Sequence, residues 1–478
     1  MVSAAYDKGD GGLAAHALVF PFPSQGHMIP LLDLAHHLSL QGVSVTVLVT
    51  PGNLPILRRL LSRAPAIKTL VLPFPPHPSL PAGVENSKDL TADQFLPLMH
   101  ALSFLHEPFL RWARTTPSPP DFIVSDFFLG WTQRTAAELG VPRVAFCPSG
   151  ALFLSVVHDL WREMPQRGDA AAGEDFPVEF PSLPGSPVFP WRHLSSLYRR
   201  CREGNPLCEF VREGFLQNIS SWGYVFNTFM DLEAPYLDHL RAELGHRRVW
   251  AVGPLAPPGD GDRDGDSVLS AGAMAWLDAC PAGTVVYVCF GSQAELNPAQ
   301  TAALAAALER SGSRFVWCLR VTPAGSAVAY GGAPEGFEER TAGRGLVIRG
   351  WAPQVAILAH PAVGAFLTHC GWNSAMEGIT AGVVLLTWPM SADQFATARL
   401  LVEAGVAVGA CEGPDSVPDP DELARVIAES VGGRRSEAAE SVRLRKKALQ
   451  AVAEGGSSSD DLRDLVTAIF QDKIGQRH

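Results

Sequence analysis

The stretch that decides the fold is Trp351 to Gln394, WAPQVAILAHPAVGAFLTHCGWNSAMEGITAGVVLLTWPMSADQ. Its centre, AFLTH at 365–369, is a short apolar run typical of a buried strand. The CGW turn that follows leads to Asn373 and Ser374, which favour the start of a helix. VVLLTWPM at 383–390 then predicts a second buried strand. A strand, a tight turn, a helix and a strand in this order indicate one unit of a parallel α/β sheet.

Polar side chains around the predicted turn suit a nucleotide. The free N–H groups and the positive dipole end of a helix start favour a diphosphate, and Gly371 lets a ligand approach the backbone. Glu377, one turn into the helix, places a carboxylate where it can accept hydrogen bonds from a ribose. Trp351 offers a flat face for a base. Asp393 and Gln394 follow the second strand, where open sheets meet their ligands, so the segment predicts a site for a nucleotide that carries a sugar.

The segment resembles the donor-binding signature of plant family 1 UDP-glycosyltransferases, and the similarity extends over nearly the whole chain. The resemblance implies that UDP-glucose is the donor, because Gln394 and Trp372 stand where a His or an Arg, respectively, is associated with other sugars. One departure is Val384, which replaces a usual Pro and affects the strand entry more than the donor chemistry. The implied donor-binding residues are Gly26, Ser292, Trp351, Ala352, Gln354, His369, Gly371, Trp372, Asn373, Ser374, Glu377, Asp393 and Gln394.

Length and composition bound the class of protein. A chain of 478 residues is too long for one ordinary core and predicts two domains, and 47% hydrophobic residues suffice to bury both. The net charge of −11 argues against nucleic acid or an anionic membrane as a partner. The eight cysteines include no C-x-x-C pair, and no apolar run is long enough to span a membrane. We expect a cytoplasmic monomer without a secretion leader.

The predicted domain boundary lies near residue 254, where a strand-like run gives way to the Pro, Gly and Asp-rich connector PPGDGDRDGDS. Asp260, Asp262 and Asp264 match the opening of a calcium loop, but Ala271 stands where such a loop needs Glu. We therefore favour a mobile acidic linker and expect no metal site. The predicted parts are an acceptor-binding domain at 1–253 with a flexible start at 1–14, a linker at 254–267, a UDP-sugar-binding domain at 268–458 and a terminal helical segment at 459–478.

Both predicted domains start with the same pattern. HALVF at 16–20 leads through a loop into an amphipathic helix and then VSVTVLV, and TVVYVCF at 284–290 begins the same order in the second half. Two such openings predict two doubly wound sheets, and neither loop has the G-x-G-x-x-G of a nicotinamide dehydrogenase. The resemblance implies the GT-B fold, two facing Rossmann-like domains with parallel sheets and an interdomain cleft. The helix at 459–473 either packs back on the first domain or is an ordinary terminal helix.

The first loop carries the candidate catalytic base. An imidazole has a pKa of about 6.5 and can take a proton from an acceptor hydroxyl at neutral pH, and His27 lies just past a strand end. Asp126, at the end of FIVSD, either orients this imidazole or caps the following helix. The resemblance favours a His27 and Asp126 pair and implies single displacement with inversion. Ser292, His369 and the helix start would stabilise the UDP leaving group, so no metal or other cofactor is required.

The acceptor is the least defined part of the prediction. Aromatic and apolar side chains of the first half suit a flat phenolic ring system, so we expect a hydroxyl of a flavonoid or another phenolic. C-glucosylation of an activated ring, a non-catalytic UDP-sugar-binding protein and a nucleotide-sugar hydrolase or phosphorylase remain alternatives. The candidate pocket residues are Phe22, Phe127, Phe128, Leu129, Phe153 and Trp191.

Overall fold

The computed structural model describes residues 15–167, 173–255, 267–320 and 332–475, with the backbone alone for 267–270 and 473–475. The calcium-like motif at 260–264 and the segment 1–14 lie outside the described residues, as does most of the predicted linker.

The first half contains one large parallel sheet and a small hairpin. Its strands are β1 (His16–Phe20), β2 (Ser44–Val49), β3 (Lys68–Val71), β4 (Phe122–Asp126), β5 (Arg143–Cys147), β6 (Pro177–Glu179), β7 (Val188–Pro190), β8 (Gly223–Phe226) and β9 (Val249–Ala251). Seven of them pair in the order β3-β2-β1-β4-β5-β8-β9, while β6 and β7 form an antiparallel hairpin. The order runs outward from β1 in both directions, which is the doubly wound arrangement that the sequence predicts.

Helices cover both faces of this sheet. They are α1 (Gln25–Leu40), α2 (Arg58–Arg63), α3 (Phe95–Ser103), α4 (His106–Thr115), α5 (Thr132–Leu139), α6 (Ala151–Glu163), α7 (Ser196–Arg200), α8 (Pro206–Ile219) and α9 (Met230–Leu244). The apolar face predicted for α1 is buried along its length, from Met28 to Leu38, against the strands. The strands β1 and β4 are buried at every position, as expected for the centre of a parallel sheet.

The second half repeats the plan. Its strands are β10 (Val285–Cys289), β11 (Arg314–Leu319), β12 (Gly345–Arg349), β13 (Val363–Thr368), β14 (Val384–Thr387) and β15 (Ala407–Gly409), which pair in parallel in the order β12-β11-β10-β13-β14-β15. Its helices are α10 (Ser267–Asp278), α11 (Pro298–Ser311), α12 (Phe337–Arg340), α13 (Gln354–Ala359), α14 (Trp372–Ala381), α15 (Gln394–Glu403), α16 (Pro420–Glu429), α17 (Ser436–Val452) and α18 (Ser457–Gly475).

The last helix, α18, packs back on the first sheet. Its apolar residues from Leu462 to Ile469 are buried in the same cluster as the strands of the first half. Trp250 Nε1 donates to Asp464 Oδ2 at 2.7 Å, and the backbone N–H of Ala251 donates to Asp461 Oδ2 at 2.7 Å. The structure therefore selects the first of the two roles that the sequence leaves open for this helix.

Two helix starts differ from their predictions. α14 begins at Trp372 with Gly371 as its N-cap, so Asn373 and Ser374 lie inside the first turn and do not cap it. The run after Asp126 divides into a 3₁₀ turn at Phe127–Leu129 and the separate helix α5. The cause of the division is the carboxylate of Asp126, whose Oδ1 accepts the backbone N–H of Phe128 at 2.9 Å and stabilises a tight turn.

Candidate active site

The candidate base and its carboxylate come together at the carboxyl ends of two adjacent strands. His27 lies in the first turn of α1 after β1, and Asp126 ends the neighbouring β4. His27 Nδ1 is 2.8 Å from Asp126 Oδ2, and the exposed fractions of the two side chains are 18% and 0%. Because the other carboxylate oxygen binds the N–H of Phe128, Asp126 fills both roles considered from the sequence. A proton held on Nδ1 leaves Nε2 as the basic nitrogen.

Aromatic rings surround this imidazole. The ring centroid of His27 lies 4.9 Å from that of Phe128, 5.5 Å from that of Phe22 and 5.9 Å from that of Phe127. Phe95, which the sequence did not indicate, completes the cluster at 5.3 Å from Phe22. These rings form an apolar wall beside a titratable nitrogen, which suits an aromatic ligand.

The other three acceptor candidates are not part of this ring cluster. Leu129 is fully buried in the core, because the tight turn after Asp126 directs the chain inward at this position. Phe153 is half-buried on α6 and packs against the core. Trp191 follows the hairpin and has its ring neighbour in Tyr198, at 6.0 Å. None of the three is in ring contact with His27 among the described residues.

On the facing side, one glutamine connects two of the candidate donor-binding residues. Gln354, the first residue of α13, donates through Nε2 to Glu377 Oε2 at 2.7 Å and to Ser374 Oγ at 3.1 Å. The hydrogen bond fixes one oxygen of the Glu377 carboxylate. Trp351 is 50% exposed and offers its indole to a ligand, whereas the adjacent Ala352 is buried.

His369 occupies a cradle made by two glycines. A Cβ at Gly291 would lie 2.6 Å from the imidazole, and a Cβ at Gly371 would lie 2.5 Å from it, so neither position accepts a side chain without moving the ring. Gly291 also has a positive φ of 73°. Burial lowers the pKa of His369 to about 4, so the ring is neutral at physiological pH. Its buried Nδ1 has no hydrogen-bond partner in the described chain, while Ser292 is half-buried nearby in the turn after β10.

The sugar-clamp candidates lie at the start of α15. Gln394 Oε1 accepts the backbone N–H groups of Met390 at 2.8 Å and Ser391 at 3.0 Å, which leaves the amide Nε2 as the available donor. Burial raises the pKa of Asp393, and a 2.6 Å hydrogen bond from Ser149 Oγ and the attraction of His27 oppose this rise. Asp393 therefore lies within electrostatic reach of the candidate base, across the two halves of the chain.

Hydrogen bonds from several residues join the two halves around this point. Besides the bond from Ser149, Asn373 Nδ2 donates to the carbonyl of Gly26 at 2.9 Å, and Trp372 Nε1 donates to the carbonyl of Asn227 at 2.8 Å. The indole of Trp372 is buried, and its N–H is already used. The carboxyl ends of both sheets thus face one another across a shared cleft, which is where open α/β sheets bind ligands.

Comparison with known proteins agrees with this geometry. Residues 264–416 match the family model described as UDP-glucoronosyl and UDP-glucosyl transferase. The flavonol 3-O-glucosyltransferase UGT89B1 of Arabidopsis thaliana is 52% identical, over 94% of this chain and 95% of that protein. The chain belongs to the plant family 1 UDP-glycosyltransferases.

Further relatives of this UDP-glycosyltransferase include an Arabidopsis thaliana flavonol 7-O-rhamnosyltransferase, 42% identical over 94% of this chain and 97% of that protein. The crystal structure of Arabidopsis thaliana UGT89C1 with UDP-L-rhamnose superimposes with a TM-score of 0.79 at 39% identity, covering 96% of this chain and 100% of that one. The same protein has been solved with quercetin. These matches confirm the predicted GT-B fold and a UDP-sugar as donor.

Sequence reasoning missed several residues of the UDP-glycosyltransferase cleft. Ser149 and Asn227 follow β5 and β8, and each contacts the donor-binding half across the cleft. The signal that was available was their place at the carboxyl ends of strands in the same sheet as His27. Arg143, at the start of β5, contacts the backbone of Asp126. No pattern in the surrounding sequence indicates this contact.

The described residues include neither a membrane-spanning helix nor a metal-binding cluster. No helix in the described part of the chain combines the length and apolarity needed to cross a membrane. Within the same described ranges, no three His, Cys, Asp or Glu side chains are grouped so that they would hold a metal ion.

Proposed function

We propose that this enzyme transfers glucose from UDP-glucose to a phenolic hydroxyl of a flavonoid, with inversion, to give a β-glucoside. The observation that carries the proposal is the hydrogen-bonded pair of His27 and Asp126, placed among aromatic rings and joined to the donor side through Gly26. An acceptor hydroxyl beside the ring cluster can reach Nε2 of His27.

The chemistry is a single displacement. Nε2 of His27 takes the hydroxyl proton while the acceptor oxygen forms a bond to the anomeric carbon, and Asp126 stabilises the resulting imidazolium. The bond from the anomeric carbon to the diphosphate breaks, and UDP leaves with the electron pair. The N-terminal end of α14 and the His369 ring stabilise the charge that develops on the diphosphate. The reacting groups come from opposite sides of the cleft, which favours inversion without a covalent intermediate.

A flavonoid acceptor is supported by the site and by the relatives. The rings of Phe22, Phe127 and Phe128 beside His27 suit a planar polyphenol. The most similar relatives named above act on flavonols, and UGT89C1 has been solved with quercetin.

The donor sugar is the finer question, because one relative is a glucosyltransferase and another a rhamnosyltransferase. We infer glucose from Gln394 and Asp393, which offer an amide donor and carboxylate oxygens to a sugar with a full set of hydroxyls. Rhamnose is a 6-deoxy sugar and offers one hydroxyl fewer. Trp351 is proposed to stack on uracil and Glu377 to hold the ribose, since the first is exposed and the second is oriented by Gln354.

The test is UDP release from UDP-glucose and from UDP-rhamnose, each with and without quercetin. We expect release with UDP-glucose that depends on quercetin, and a β-glycosidic coupling in the proton NMR spectrum of the product. Acid hydrolysis of the product separates an O-glucoside, which is cleaved, from a C-glucoside. Preferential turnover of UDP-rhamnose would contradict the glucose assignment, and equal release without an acceptor would contradict transfer.

A further inference from the structure

Arg143 is a fully buried arginine at the start of β5. Its Nε donates to Ser125 Oγ at 2.8 Å, and its Nη1 donates to Asn218 Oδ1 at 2.9 Å and to Ser221 Oγ at 2.7 Å. Its Nη2 lies 3.3 Å from the backbone carbonyl of Asp126. All four acceptors are neutral, so these hydrogen bonds satisfy the donors of the guanidinium without balancing its charge.

A buried cation needs an anion nearby, because transfer from water to a protein interior is costly for an uncompensated charge. Burial lowers the pKa of Arg143 to about 10, and attraction to Tyr224 and Asp126 opposes this fall. Burial raises the pKa of Tyr224 well above its usual value, so at neutral pH this phenol carries no charge. Cys147, which also faces Asp126, is kept neutral by burial in the same way. Asp126 is therefore the carboxyl group whose attraction opposes the cost of burying Arg143.

The need is mutual. The carboxylate of Asp126 is fully buried, and its hydrogen-bond partner His27 must be neutral in order to act as a base. At that stage the guanidinium of Arg143 is the cation that the structure places against this end of β4. A buried carboxylate with no cation beside it tends to take up a proton. A protonated Asp126 would no longer fix the tautomer of His27 or stabilise the imidazolium.

The same side chain fixes the turn that carries the carboxylate. Arg143 binds Ser125 and Asn218, and Asn218 Nδ2 in turn donates to the carbonyl of Phe127 at 2.7 Å. The residues on both sides of Asp126 are thus tied to one guanidinium through direct or bridged hydrogen bonds.

We propose that Arg143 is a positioning residue of the reaction, whose positive charge and hydrogen bonds hold the turn that carries Asp126 so that His27 presents Nε2 as the base. The inference rests on the proposed function, since it assigns Arg143 to the dyad that performs the transfer.

The experiment compares Arg143→Met, Arg143→Lys and the control Arg248→Met in glucose transfer from UDP-glucose to quercetin across pH 5 to 9. Arg248 serves as the control because it is a partly buried arginine of the first domain that lies 5.0 Å over the Trp222 ring and binds a backbone carbonyl, whereas Arg143 is fully buried. For Arg143→Met we expect kcat to fall about 30-fold with little change in KM for UDP-glucose, because the base and not donor binding is affected.

The pH profile separates a charge effect from a packing effect. In Arg143→Met the acid limb of kcat/KM should move about one pH unit upward, because a buried carboxylate without its cation is protonated more readily. Arg143→Lys restores the charge and should restore most of the acid limb. Arg248→Met should leave the limb in place. An unmoved limb in a folded Arg143→Met variant would overturn the inference, and absence of transfer by the wild type would instead overturn the proposed function.

A double-mutant cycle covers the case in which Arg143→Met folds poorly. The melting temperatures of the wild type, Arg143→Met, Asp126→Asn and the double variant give the coupling between the two sites. We expect Arg143→Met to lower the melting temperature less in the Asp126→Asn background, since the unpaired carboxylate is then absent. An equal loss in both backgrounds, or failure of both Arg143→Met variants to fold, would show a packing role only and overturn the inference.

Discussion

The two sides of the cleft differ in whether their polar groups have partners within the protein. On the first-domain side, the reactive groups find their partners within the protein: His27 binds Asp126, Asp126 binds the N–H of Phe128, and Arg143 supplies a charge. On the donor side, His369 has a buried nitrogen without a partner in the described chain, and half of the Trp351 surface is exposed.

This difference indicates which side is complete without its ligand. The fold itself places His27 against Asp126, so this geometry forms without substrate. The donor side has a shaped and partly unsatisfied surface, which we propose a nucleotide sugar completes. Substitutions on the first side should therefore lower kcat, and substitutions on the second should weaken donor binding.

The largest effect is expected for His27→Ala. Loss of the base should reduce kcat by about 10³-fold while KM for UDP-glucose changes little, because general base catalysis contributes about 10²- to 10⁴-fold. Steady-state kinetics with quercetin measure both constants. His36→Ala, further along the same helix, is the control and should retain activity. A large rise in KM at unchanged kcat would break the comparison, since it would place His27 among the donor-binding groups.

The next effect tests the glycine cradle of His369 by Gly291→Ala. The new Cβ would lie 2.6 Å from the imidazole, so the ring must move, and we expect UDP to bind about tenfold more weakly through loss of a hydrogen bond to a charged phosphate. Gly312→Ala is the matched control, because Gly312 also has a positive φ, 64°, but among the described residues no side chain from elsewhere in the chain lies within 4 Å of the new Cβ. Calorimetric titration with UDP checks the result. Equal weakening in both variants would indicate backbone strain alone.

Local patterns predicted the strands well, because the signal for each strand lies within one short segment. β1 and β4 are runs of apolar residues that end at a polar group, and parallel central strands are buried on both faces. His27 and the segment at 351–394 were found because the chemistry and the turn are adjacent in the chain.

The contacts that depend on distant segments were not accessible in this way. Ser149 reaches Asp393 across 244 positions of sequence, and the contact exists only when both domains are folded and docked. Arg143 is a residue type that is normally exposed, so its complete burial follows from the neighbouring β4 and α8 and not from its own segment. Leu129 follows Phe128 in the chain and has the apolar character expected of a pocket residue, but the tight turn buries it.

A smaller effect is expected for Gln394→His, which alters the donor-side clamp. Histidine replaces the amide that donates from Nε2 and also removes the acceptor of the Met390 and Ser391 N–H groups, so the preference for UDP-glucose over UDP-galactose should fall about fivefold. Competition assays with both donors measure the ratio. Gln394→Glu keeps the oxygen acceptor but removes the amide donor, and it separates the two functions of the side chain. An unchanged ratio in Gln394→His would show that other groups set the selectivity.

The smallest expected effect is the uptake of a proton by His369 when UDP binds. His369 has a pKa of about 4 without ligand, below the value of about 6.5 expected in an unfolded chain, so it contributes stability that is lost as pH falls from about 6.5 to 4. A diphosphate beside the ring favours the imidazolium and raises this pKa, so UDP binding should take up a proton between these values. We expect UDP affinity to improve about threefold more in the wild type than in His369→Gln between pH 7 and pH 5.

Calorimetry in two buffers with different ionisation enthalpies measures that proton uptake directly, and the His369→Gln variant corrects for protonation of the UDP phosphate itself. The same measurement on His27→Ala is the cross-cleft control, since the pair with Asp126 is formed within the protein and does not need the diphosphate. Equal uptake by the wild type and His369→Gln would mean that the ring stays neutral in the complex. The donor side would then bind the phosphate through backbone N–H groups and the α14 dipole. It would differ from the catalytic side in using no charged side chain for this purpose.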